Sequence, residues 1–449
     1  MNTSIAALRP KRLDSKYILG ERLRPDLPEL TYDTQFATSG KLPLPMGNRT
    51  GWGSCIIPSV SDESAFLVAF YETIKIFNPP PEYFARIVRV RGNGSLDPSF
   101  GNEEGFIDAR LPGEGISIIK GFHETSDGKI LIWGTNTNFS QEGLTTSAQF
   151  ISRRLAKGQS DTEFGQGGHI NIDTLGLNFG VQFLAGPTVT LSADGSLFVG
   201  VHRNETEIGL IIKLSCNGAL DKTFQNNGTL VVKNDGRTTY LTGLTHDGQG
   251  GLFAFGSTSL DTELFGVLMK YDSAGVKIKE FGKGGTIELV EPKYQPVIMN
   301  VQVLDDSRLV ATGYAYTSRD GKPALESLIT VLTWLGNPDK SFNSGKVGYY
   351  QFSNDSDSDQ WLTAVQQLQS GGKIVAVGIG GSETSTGPVI GRFNADGSLD
   401  KTLVDGSPYG TLQDASFFAS SGLALNTTPT QILVVGSVNS RPAVLAIKI

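Results

Sequence analysis

A closed all-β ring, a seven-bladed β-propeller of four-stranded blades, is the architecture this sequence predicts, and three observations predict it. One phrase recurs seven times along the 449 residues, the chain between its copies alternates in short strand-like runs, and no stretch carries a long helical period. The clearest copy is Gly94-Ser-Leu-Asp-Pro-Ser-Phe-Gly101. Its relatives place Phe36, Phe164, Phe224, Phe281 and Phe342 in register, with Leu403 in the seventh position, and neighbouring copies lie 64, 64, 60, 57, 61 and 61 residues apart.

Each repeat reads as four elements in order. After the Phe comes a Gly-rich turn and a short alternating strand, as at Phe106-Ile-Asp-Ala and Thr286-Ile-Glu-Leu. Next a strand runs into a turn, commonly Asp-Gly, as at Asp127-Gly128, Asp194-Gly195 and Asp247-Gly248. Asp-Gly between apolar runs is a hairpin signal because Gly takes positive φ without strain. A third, nearly continuous apolar strand follows, such as Lys129-Ile-Leu-Ile-Trp-Gly or Lys373-Ile-Val-Ala-Val-Gly, whose two faces must both be covered. The last strand, such as Phe150-Ile-Ser-Arg-Arg-Leu, leads back into the phrase. Radial repetition of such sheets protects their edges. The apolar pair with its Asp-Gly turn belongs near the axis, and the short polar strand belongs at the outer edge.

This ordering leaves the final repeat, ending at Ile449, without an outer strand, while Gly40-Lys-Leu-Pro-Leu-Pro45 is an outer-type strand with no blade before it. The N-terminal segment is therefore predicted to complete the seventh blade, and Pro43 and Pro45 fit an edge position. The propeller then occupies residues 31–449. Residues 1–30, with Arg9, Lys11, Arg12, Lys16, Arg22 and Arg24, read as a leader packed along the ring, the alternative being a targeting or partner-binding arm.

Composition narrows the function. Charged residues make up 18% and the formal net charge is −7, which argues against a nucleic-acid partner, since phosphate neutralisation needs clustered Lys and Arg. No run approaches the roughly 20 apolar residues of a spanning helix, and no secretory core or cleavage site opens the chain. A cytoplasmic, monomeric propeller is expected, with leaderless export left open. Cys55 and Cys216 fall in different repeats and read as free thiols.

The phrase Gly-x-Leu-Asp-x-x-Phe-Gly-x-x-Gly, with the downstream Asp-Gly-Lys-Ile-Leu-x-x-Gly, resembles the delta-60 repeat of bacterial β-propeller proteins, whose blades are NHL-like. The resemblance covers residues 33–449, with Asp97, Asp161, Asp221 and Asp400 in register and departures at Ile278 and Leu403. It implies the fold and carries no general catalytic motif.

The repeated residues read as architecture. Asp97, Asp161, Asp221, Asp339 and Asp400 could outline a ring of metal ligands, but an Asp recurring at one turn position caps backbone N–H groups two residues on. The repeated Phe residues are expected to plug the seams between blades. Function should then sit where repeats disagree, on the face carrying the links 71–83, 135–148, 314–326 and 380–388. Trp52, Tyr240, Trp361 and Phe417 stand near the entry to the inner strands there and could form a stacking platform, with Arg319 and His202 as polar candidates. Asp355, Asp357 and Asp359 mimic the start of a calcium loop, yet Gln360 stands where Gly is needed and Gln366 where a bidentate Glu is needed, so no cofactor is expected and Ca²⁺ is a weak candidate. His123, His169, His202 and His246 are scattered without metal-ligand spacing, and no Gly-x-Ser-x-Gly elbow occurs. The reading is a non-enzymatic binding or scaffolding propeller that engages a protein or glycan through its variable loops. The alternatives are a channel-mouth enzyme of metal-dependent hydrolase or lactonase type, and a structural component of a larger assembly.

Overall fold

The computed structural model describes residues 27–449 apart from 46–48, 75–81, 112–114, 141–142, 176–186, 204–207, 261–262, 305, 354–357, 368–371, 383–384, 417–422 and 426–430. The described residues form seven antiparallel sheets and no α-helix. Blade 2 is representative: Ile116–Glu124, Ile130–Ser140, Gly143–Arg154 and His169–Asn171 follow one another from inner to outer strand. The inner strands of blades 1 and 3–6 are Thr50–Pro58, Thr188–Leu191, Arg237–His246, Gln295–Val303 and Gln360–Gln367, while blade 7 starts with the short pieces Ala415–Ser416 and Leu423–Leu425. Each inner strand packs against the inner strand of the next blade, and blade 7 against blade 1, so the ring closes and these strands line its axis.

Closure is made by the N-terminal strand, as expected. Lys41–Pro43 pairs antiparallel with Arg441–Lys448, placing Lys41 opposite Leu445 and Pro43 opposite Ala443. The chain before it continues the clasp. Asp33 N–H donates to Ala446 O at 2.8 Å, and Leu30 N–H donates to Thr411 O at 2.9 Å on the outer strand of blade 6. Tyr32 Oη donates to Asp414 at 2.6 Å, and Lys41 pairs with the other oxygen of that carboxylate.

Seven apolar clusters fill the seven seams, one each. Phe36, Phe100, Phe164, Phe224, Phe281 and Phe342 are buried, each in a different seam, while Leu403 is half-buried in the seam between blades 6 and 7. Where the phrase carries an Asp, that residue braces the turn. Asp97, Asp221, Asp339 and Asp400 accept the backbone N–H and the hydroxyl of Ser99, Thr223, Ser341 and Thr402 on one oxygen. A cation of the same blade meets the other oxygen: Arg153 on Asp161 at 2.7 Å, Arg308 on Asp339 at 2.8 Å, Arg392 on Asp400 at 2.6 Å. The same cations can reach the phrase ring, Arg89 lying 4.6 Å from the Phe100 centroid and Arg153 4.7 Å from Phe164. Blade 4 departs from the pattern because Ile278 replaces the Asp. There Lys270 turns to Asp247 at 3.6 Å and lies 3.7 Å above the Trp334 ring.

Two glycines explain themselves by close approach. A Cβ on Gly94, at φ +81°, would stand 2.5 Å from Ala37 N in the preceding phrase, so the first Gly of the phrase lets neighbouring blades touch. The Gly ending the apolar strand faces a bulge. Ile119/Gly121, Leu241/Gly243, Ile298/Asn300 and Trp361/Thr363 flank one extra residue in four inner strands, as Gly53/Cys55 do in blade 1. In those four blades a Cβ on the facing Gly134, Gly256, Gly313 or Gly378 would lie 2.0 Å from an inner-strand carbonyl oxygen. The bulges also join blades, since Ser54 and Thr242, themselves the extra residues, donate to Ile119 O and Ile298 O of the next blade.

Candidate site on the variable-loop face

Inner strands run from the variable-loop face to the Asp-Gly turns, so the residues before each bulge stand at the channel mouth on that face. Register decides what they can do. Trp52 and Tyr240 precede the bulge by two residues and are both half-buried. Trp52 packs on Tyr71 with ring centroids 5.2 Å apart, against the seam between blades 1 and 2. Trp361 precedes its bulge by one residue, the position that Ile119, Leu241 and Ile298 fill in the seams of other blades. A shift of one residue turns a side chain to the opposite face of a strand. Trp361 is accordingly 0% exposed, 4.4 Å from Phe352 and 6.1 Å from Tyr409 between ring centroids. The expected platform therefore loses Trp361, which is a core residue whose indole occupies the space over Gly378 and Gly391.

Asp359 is likewise fully buried. Its carboxylate accepts Phe352 N–H at 2.9 Å and Gly381 N–H at 3.3 Å, which ties the link into blade 6 to the blade's own hairpin and commits both oxygens to backbone. Asp355, Asp357, Phe417 and the His202 side chain lie outside the described residues. Among the described residues no three His, Cys, Asp or Glu side chains gather as a metal site. Both cysteines are free, and burial pushes the Cys55 thiol up to about 12.

Two clusters on this face do form. The first joins blades 4 and 5. Tyr294, in the link between them, stacks on Tyr349 of the outer strand of blade 5, with centroids 3.9 Å apart and planes 11° apart. Tyr294 Oη donates to Glu326 at 3.0 Å, and Arg319 in the hairpin donates to the other oxygen of that carboxylate at 3.0 Å. Burial, reinforced by the Glu326 carboxylate, pushes the Tyr294 phenol up to about 12. Tyr314 and Tyr316 meet edge to face at 5.5 Å, and burial with Tyr240 nearby pushes Tyr316 up to about 12. Among the described residues, Tyr349 Oη and Gln295 Oε1 are buried without a hydrogen-bond partner, whereas the Tyr314 and Tyr316 hydroxyls meet each other. Tyr240 and Arg319 are thus brought to one region, together with Tyr294, Tyr316 and Tyr349, which sequence reasoning missed. The paired Tyr349-Tyr350 before a link was the available signal.

The second cluster sits at the hairpin end of blade 1. Three guanidiniums surround the half-buried Phe84 ring, Arg49 at 4.6 Å, Arg110 at 4.5 Å and Arg86 at 5.9 Å from its centroid. Glu72, fully buried, holds Arg49 at 2.8 Å and Arg86 at 3.0 Å, while Arg110 grips Asp108. Phe84 and Arg86, two residues apart on one strand and so on one face, hint at this group, but Arg49 and Arg110 arrive from the links before and after the blade and leave no local trace.

Fold and site define the class: a seven-bladed β-propeller whose repeated residues maintain the ring and whose links between blades differ. A family described as "Domain of unknown function (DUF5122) beta-propeller" matches residues 369–403, the heart of blade 6 and its phrase. No curated protein matches the chain. Among solved structures, Sqt1 from Chaetomium thermophilum is similar at 12% identity and TM-score 0.43, covering 90% of this chain and 97% of its own. The α-L-arabinanase of Penicillium chrysogenum, solved with arabinobiose, is similar at 13% identity and TM-score 0.41, covering 73% and 92%. The polysaccharide lyase Uly1 is similar at 12% identity and TM-score 0.45, covering 92% and 94%. Among the described residues, no helix is long and apolar enough to cross a membrane.

Proposed function

We propose that this propeller, of the delta-60 type its sequence resembles, is a non-enzymatic binding or scaffolding module that engages a protein or glycan through its variable-loop face. The observation that carries the reading is the tyrosine–arginine cluster of blades 4 and 5. Tyrosine and arginine are the residues that anchor recognition surfaces, since each offers a large rigid contact and a polar tip. Buried polar atoms without partners among the described residues, here Tyr349 Oη and Gln295 Oε1, cost about 1–3 kcal/mol each unless something else satisfies them. A partner seated on the cluster would supply those bonds. The phenols, held above their ordinary range, remain donors at neutral pH.

The test compares the full chain with the double variant Tyr294→Ala/Arg319→Ala on a glycan array and by affinity capture, with thermal melts as a folding control. A glycan or protein bound by the native chain should lose at least tenfold in affinity in the variant, whose melt stays cooperative. Partners recovered equally by both forms would remove this face from recognition.

A further inference from the structure

The opposite end of the channel, where the uniform turns lie, also holds a concave site. A cavity of about 450 Å³ opens there around the short inner strand of blade 3, between blades 2 and 4. That volume falls within the roughly 300–1,000 Å³ of small-molecule sites. Its wall is assembled from three blades: His123, Ser126 and Trp133 from blade 2, Thr190 and Ser192 from blade 3, and His246 from blade 4. Among the described residues, no Asp, Glu, Lys or Arg lines it.

The lining is prepared for hydrogen bonding without charge. His246 Nδ1 accepts the backbone N–H of Gly248 at 3.0 Å, so the neutral ring carries its proton on Nε2. That Nε2 is buried and has no hydrogen-bond partner among the described residues, in a side chain that lines the cavity. Burial lowers the pKa of His123 below the ordinary histidine value, which favours its neutral imidazole. Trp133 adds a flat apolar surface, its ring packed over Gly121, where a Cβ would come within 2.4 Å of it. Val189 and Leu191 complete the apolar part.

We infer that this cavity is a second binding site, separate from the variable-loop face, for a small uncharged polyhydroxylated ligand such as a neutral saccharide unit. An aromatic plate takes the C–H face of such a ring, and neutral donors and acceptors around it take the hydroxyls. A charged ligand would enter without a counter-charge and be disfavoured.

Isothermal titration of the full chain with glucose, galactose, mannose, their disaccharides and glucuronate tests the inference, together with Zn²⁺ as a probe of the two imidazoles. At least one neutral sugar should bind saturably and lose at least tenfold in affinity in His246→Leu, with part of the affinity regained in His246→Gln, which restores an N–H donor. Ser126→Ala, on an exposed turn, should weaken the same sugar without altering the melt. The inference is overturned if none of the neutral sugars saturates, if glucuronate binds more tightly than they do, if stoichiometric Zn²⁺ occupies the histidines instead, or if the variants bind with native affinity. Because none of these residues lies on the variable-loop face, Tyr294→Ala/Arg319→Ala should leave sugar binding at this site unchanged.

Discussion

Asp400 shows at single-residue scale what the repeated phrase does. Burial opposes its ionisation, yet Lys373, the Thr402 hydroxyl and backbone N–H, and Arg392 together hold its carboxyl well below the usual carboxylate range. Asp97, Asp161, Asp221 and Asp339 are lowered in the same sense by their own turns and cations. A carboxyl depressed in the folded state contributes stability that is complete above its unfolded value, about 3.9, and is lost as pH falls towards the folded value. The ring should therefore lose stability steeply below about pH 4. Denaturant unfolding from pH 7 to pH 3 checks this, and Asp400→Asn should be less stable at neutral pH with a flatter acid limb; an equally steep limb would detach Asp400 from the effect. The turn role of these Asp residues was legible because repetition at one turn position has one economical explanation. Their pairing with Arg153, Arg308 or Arg392 was less so, since blade 5 draws its cation from the turn before the second strand and blade 2 from the third strand.

At the scale of the element, the bulge in the inner strands governs both packing and the channel mouth. In blades 2, 4, 5 and 6 it accounts for the Gly that closes the apolar run, a residue visible in the sequence without its reason. Gly313→Ala would drive a methyl to 2.0 Å from Val297 O and should cost about 1–3 kcal/mol, read as a lowered midpoint in denaturant melts. A midpoint within error of the native chain would mean that the bulge relaxes freely. The same bulge hid the true position of Trp361. Sequence alignment of Trp52, Tyr240 and Trp361 near one strand end suggested a common platform, but Trp361 is offset by one residue and turns into the seam between blades 5 and 6. Alternation identifies two faces of a strand; it does not say which face is buried once an extra residue is inserted.

On the scale of the whole molecule, closure depends on residues from both ends of the chain. The N-terminal segment pairs with blade 7 and also reaches the outer strand of blade 6 at Thr411, so it bridges two blades. Removal of residues 1–45 should abolish the single cooperative thermal transition, because blade 7 loses its outer strand and its seam loses Leu44, Leu42 and Phe36. A truncated chain with an unchanged melt would show that the ring closes without the clasp.

The sequence by itself determined the blade count, the order of strands within a blade, the strand that closes the ring and the structural duty of the repeated Asp and Phe residues. These follow from local periodicity and repetition, which need no knowledge of distant contacts. Only the tertiary structure decided which aromatics stay at the channel mouth. It alone brought Tyr294 to Tyr349 and Glu326, gathered Arg49, Arg86 and Arg110 around Phe84, and set His123 and His246 on either side of blade 3. Those groups join residues from different strands and blades, and their meeting depends on register, bulges and closure angle, which a linear pattern does not carry.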